Sequence, residues 1–118
     1  MDITIADLGG VTRIKLYGSL DRKSAPDLES QFASIAENVQ SAIIDLSSIS
    51  NLPAVGVSAL LNTAMAIAAH GGNLVLLNPQ DEVRAILITG GIDHVAPIVF
   101  NDDEAERAAR RHRSDQPG

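Results

Sequence analysis

The side chains best suited to chemistry are scarce in this chain. His70, His94 and His112 are its only histidines, and it has no cysteine. The lack of cysteine rules out disulfides, thiolate metal sites and thiol nucleophiles. The histidine spacing matches no metal-binding pattern, and none of the three pairs with an acid at helix spacing in a familiar zinc motif. Their expected roles are structural or at the surface. His70 falls late in an apolar helix, where a cation suits the dipole. The glycines form neither Gly-x-Gly-x-x-Gly nor Gly-x-x-x-x-Gly-Lys, and no Gly-x-Ser-x-Gly elbow occurs. With no nucleophile–base pair, the chain reads as a binding protein and not as an enzyme. It is expected to need no cofactor and no metal.

Two acids and one segment remain as candidates. Asp21 follows a strand and a glycine and precedes a helix. It could face a partner or a cation, or it could simply set up the following helix. Asp45 sits in an apolar strand run, where a carboxylate is costly unless hydrogen-bonded. Its expected role is structural, either within the strand or at its carboxyl end near Ala54. The segment from Asp45 to Leu61 carries the chain from a buried strand into a helix. Amides at such a helix start can bind an anion; the plainer reading is an ordinary strand–loop–helix crossover.

These residues must be positioned by the elements around them. Residues 2–7 and 11–17 alternate with period two, and Ile14 and Leu16 share one face, which predicts a hairpin through Asp7-Leu8-Gly9-Gly10. Ser24-Ala25-Pro26-Asp27 reads as a helix start, and Leu28, Phe32, Ile35 and Val39 form its apolar stripe. Residues 42–46 are a short apolar run, as for a central strand. Ser47 to Pro53 reads as a polar turn. A second helix is expected over 54–69, with Leu60, Leu61, Ala64, Met65 and Ala68 available for packing, and Gly71-Gly72 stops it. Residues 74–77 read as another buried strand. Asn78 is the expected cap of a third helix bearing Val83, Ile86 and Leu87. Residues 96–100 read as an edge strand because Pro97 lacks a ladder donor. Asn101 opens a last helix with acids at its start and Arg107, Arg110 and Arg111 toward its end. The order β-β-α-β-α-β-α-β-α predicts an α/β fold with a mixed, mostly parallel sheet of about five strands and about four helices.

The 118 residues fit one domain, expected over 1–113 with a frayed tail at 114–118. With 45% hydrophobic and 20% charged residues, the composition is that of a folded chain. Aromatic residues are limited to Tyr17, Phe32 and Phe100, so the core must be aliphatic. A formal net charge of -6 argues against broad contact with nucleic acid. Met1-Asp2-Ile3-Thr4 is not the start of a signal peptide. The apolar run Val55 to Ala69 is too short to span a bilayer, so no membrane insertion and a cytoplasmic location are expected.

Gly18-Ser19-Leu20-Asp21, Ile43-Ile44-Asp45-Leu46-Ser47, Gly71-Gly72-Asn73-Leu74 and Leu87-Ile88-Thr89-Gly90-Gly91-Ile92 occur in an order and spacing that resemble a STAS domain. This is the family of bacterial anti-sigma factor antagonists, and the likeness runs over about residues 3–109. It implies a single STAS-like domain with helices largely on one side of the mixed sheet. It also implies a partner, a cytoplasmic anti-sigma factor, usually a kinase of the histidine-kinase-like ATPase class. Phosphorylation of a Ser or Thr at the start of the second helix breaks such complexes. Asp21 matches the partner-contacting Asp of the family. Its Asp-Ser/Thr-x-Gly switch is replaced here by Pro53-Ala54-Val55-Gly56. Ala54 offers no hydroxyl, so control at the usual position is not expected; Ser58 is the alternative acceptor. The implied contact surface is Asp21 with Pro53, Ala54, Val55, Gly56 and Ser58. The alternative role is a scaffold subunit of a stress-sensing complex or of a lipid or anion transport complex.

Overall fold

The computed structural model describes residues 2–18 and 25–110. Five strands form one sheet in the order β1-β2-β3-β4-β5: β1 Asp2–Asp7, β2 Val11–Gly18, β3 Ser41–Ile49, β4 Leu74–Leu77 and β5 Ile98–Val99. Between and after them lie α1 Ala25–Asn38, α2 Ala54–Ala69, α3 Asp81–Thr89 and α4 Asp102–Ala109. β1 pairs antiparallel with β2, and every later pairing is parallel. The mixed α/β sheet is therefore as expected, down to the hairpin in which Asp7 pairs with Thr12.

Side-chain parity decides which helix covers which face. Ile14, Leu16, Ile44, Leu46 and Leu76 point to one side of the sheet. There they meet Leu28, Phe32 and Ile35 of α1, Leu60, Ala64 and Ile67 of α2, and Val83 and Leu87 of α3. Val11, Ile43, Val75 and Leu77 point to the other side, where Ala105 and Ala109 of α4 cover them. Three of the four described α-helices thus share one face. The buried Thr63 satisfies its hydroxyl by donating to the Ala59 carbonyl at 2.8 Å. His70, at the end of α2, places Nε2 3.1 Å from the Val39 carbonyl just beyond α1.

Several local expectations differ from the structure. β3 continues through Ser47, Ser48 and Ile49, so the turn before α2 is shorter than expected. The reason is tertiary: β2 extends to Gly18, and Tyr17 and Gly18 supply ladder partners to Ser48 and Ile49. Asn78 does not cap α3. It adopts φ 50°, a left-handed conformation that asparagine tolerates, and the helix starts at Asp81 after Gln80. Pro79 disfavours the α conformation at Asn78, which delays the helix. β5 is confined to Ile98–Val99. Met65 and Ile86 are exposed and lie outside the packing assigned to them. Asn101 does cap α4, accepting a hydrogen bond from the Glu104 amide at 2.9 Å.

Candidate functional site

The parallel register brings the ends of β2 and β3 together, since Gly18 pairs with Ile49. The last residue of β2, Gly18, thus lies beside the end of β3 that leads into α2. Crevices at the carboxyl ends of parallel strands are the usual binding place in α/β folds. Asp21 itself lies outside the described residues.

The start of α2 is set by Leu52 and Pro53. Leu52 is buried and anchors the loop, while Pro53 is the N-cap, with extended backbone and no side-chain cap bond. The Pro53 carbonyl accepts from the amides of Gly56 at 2.9 Å and Val57 at 3.1 Å, which closes the first turn. Gly56 is buried, whereas Ala54, Val55 and Ser58 are exposed. These three lie at helical neighbour spacing and share one side of the helix. Their side chains offer methyl groups and one hydroxyl, without charge. The absence of charge extends over the whole of Ala54–Ala69. In a chain with 20% charged residues, an uncharged helix with an exposed side is distinctive.

The next helix braces this end of α2. A Cβ added at Gly90, just past α3, would come within 2.9 Å of Val57 Cγ1. Gly90 therefore permits the close approach of the end of α3 to the first turn of α2.

A second cluster, on the opposite face, surrounds Asp45. This carboxylate is 4% exposed and belongs to the middle of β3, not to its carboxyl end. One oxygen accepts from Ser47 Oγ at 2.6 Å and from the Ser47 amide at 2.9 Å. The other accepts from Arg13 at 3.1 Å. Arg13 also donates to Asp102 at 2.6 Å, at the start of α4. Burial opposes ionisation of Asp45, but the hydrogen bonds from Ser47 and the charge of Arg13 outweigh it and hold the carboxyl below its ordinary value. Burial likewise opposes charge on Arg13, and Asp102 and Asp45 more than restore it. The sequence reading names neither Arg13 as the partner of Asp45 nor Asp102 as the second acceptor of Arg13. The signal was Arg13 on the strand parity opposite Ile14 and Leu16, which is the parity of Asp45 across the pairing.

Among the described residues no group of three or more His, Asp or Glu side chains could hold a metal ion. None of their helices is long and apolar enough to cross a membrane.

The STAS domain model matches residues 2–105. The chain belongs to the STAS domain family. Comparison with curated proteins finds no match. Among solved structures, an anti-sigma factor antagonist from Mycobacterium paratuberculosis is 26% identical, with a TM-score of 0.81 over 93% of this chain and 94% of that one. An anti-sigma-factor antagonist (STAS) domain protein from Planctomyces limnophilus is 19% identical, with a TM-score of 0.80 over 94% of this STAS chain and 100% of that one. The phosphorylated form of the Bacillus cell fate determinant SpoIIAA is 20% identical, with a TM-score of 0.71 over 92% and 100% of the two chains. The last two likenesses concern the fold.

Proposed function

We propose that this STAS protein is a cytoplasmic anti-sigma factor antagonist. It acts by binding an anti-sigma factor or related regulatory kinase and not by catalysis. The contact surface is the end of the sheet formed by Asp21 and the Pro53–Ser58 segment. The observation that carries this reading is the exposed, uncharged first turn of α2 beside the end of β2. Ala54, Val55 and Ser58 offer a surface that a partner can desolvate at little cost, because no ion must lose its water. The 26% identity to an anti-sigma factor antagonist across nearly the whole chain supports the same partner class.

Binding is constitutive with respect to the usual switch. Phosphoryl transfer needs a hydroxyl, and a phosphate adds roughly -1.5 to -2 charges. Ala54 has only a methyl group. The complex is then controlled by the abundance of this protein or through its partner. The test is incubation with the cognate kinase and ATP, followed by intact-mass measurement and titration against the partner. Unchanged mass and unchanged affinity are expected. An added phosphate that releases the complex contradicts this reading, and its mapped position decides whether Ser58 serves as the acceptor. A companion variant, Asp21→Arg, is expected to weaken the complex without lowering the unfolding temperature; equal affinity removes Asp21 from the surface.

A further inference from the structure

The helices differ in what they bury. α1 sends Leu28, Phe32 and Ile35 into the core, α2 sends Leu60 and Ile67, and α3 sends Val83 and Leu87. α4 has eight residues, and the only side chains it buries are those of Ala105 and Ala109. A helix this short has little stability of its own, and an alanine methyl brings little apolar area to an interface. Yet α4 covers Val11, Ile43, Val75 and Leu77, four larger apolar side chains on the second face of the sheet.

Polar contacts fasten the helix at both ends. At the start, Asp102 accepts from Arg13 at 2.6 Å. Asn101 caps the first turn. At the end, Arg110 donates to the Leu8 carbonyl at 2.6 Å and the Gly9 carbonyl at 2.9 Å, both in the β1–β2 turn. Asn73 donates from Nδ2 to the Ala109 carbonyl at 3.3 Å. Asp102 and Arg110 are exposed, so water can replace their partners when the helix lifts. The loop before α4 is short, from Phe100 to Asn101, and nothing in β3 or β4 needs α4 to complete its ladder.

We propose that α4 is a separately opening cover on the sheet, latched at its two ends by Asp102 with Arg13 and by Arg110 with the hairpin turn. Opening leaves the strands and α1–α3 folded. It bares Val11, Ile43, Val75 and Leu77 on the face opposite the proposed contact surface. Local opening of a segment with few buried apolar contacts is a known mode of native-state motion. Here it belongs to one named helix with two identifiable fasteners.

Hydrogen exchange followed by mass spectrometry on the full chain tests this. In the wild type, amides of residues 102–109 are expected to exchange at least tenfold faster than those of residues 42–46. Arg110→Gln and Asp102→Asn, both at exposed positions, should each speed exchange in 102–109 severalfold and leave residues 42–46 unchanged. Two results would overturn the proposal. One is α4 exchanging at the rate of β3. The other is latch variants that leave α4 unchanged or accelerate helix and strand alike, since that shows the helix opening only with the whole molecule.

Discussion

Asp45 shows how one side chain can be costly and still structural. A carboxylate in the middle of a central strand needs partners, and Ser47 and Arg13 provide them. Truncation by Asp45→Ala leaves the Ser47 amide without its acceptor and Arg13 with Asp102 alone. The expected loss of stability is about 2 kcal/mol, as for hydrogen bonds to a buried charged group, measured by urea unfolding at neutral pH. No measurable loss would show that the cluster contributes nothing. The pH dependence follows from the depressed folded-state value. An aspartate in the unfolded chain titrates at about 3.9. The contribution of Asp45 is therefore complete above about pH 4 and is lost as pH falls through the lower folded value. Wild type should lose stability more steeply than Asp45→Asn below about pH 4, read from urea midpoints across pH. Parallel curves would contradict the assignment.

At the scale of elements, the close approaches make sharp demands. Gly71 and Gly72 end α2, and they differ in what surrounds them. A Cβ at Gly72 would fall on the Gln40 carbonyl oxygen, which is backbone and cannot move aside. A Cβ at Gly71 meets open space, and only its φ of 86° resists a side chain. Gly72→Ala should cost about 3 kcal/mol or more, and Gly71→Ala about 1–2 kcal/mol, compared by thermal unfolding. Equal losses would mean that the packing of α2 against the β3 entry is looser than described. This pair also shows what the sequence could convey. Gly71-Gly72 reads as a helix stop from composition, but which of the two is sterically obligatory depends on Gln40, some thirty residues away. The elements β1, β2 and α1 were legible from their local periodicity, and β4 and α2 from apolar runs with Gly71-Gly72 between them. The extension of β3 to Ile49, the left-handed turn at Asn78 and the exposure of Met65 were not. Each depends on what lies nearby in space: Gly18 for β3, the Val99 carbonyl that accepts from the Asn78 amide at 2.7 Å for the turn after β4, and, among the described residues, the exposed position of Met65. Of the candidate site, the exposed start of α2 was readable from the helix boundary, while its bracing by Gly90 needed the fold.

For the molecule as a whole, the sheet separates two surfaces. One end carries the uncharged start of α2, held by a core of eight or more large aliphatic side chains and Phe32. The opposite face carries the Arg13 cluster and the thinly packed α4. Changes at the first should alter binding without unfolding the protein, and changes at Asp45 should alter stability. The most direct test is a calorimetric titration of the wild type and Val55→Glu against an anti-sigma factor of the same organism. Val55 is 39% exposed, so the new carboxylate remains solvated in the free protein. The account predicts that the wild type binds, and that Val55→Glu binds at least tenfold more weakly with an unchanged unfolding temperature. Equal affinities for the two proteins, or no binding by the wild type, would contradict it.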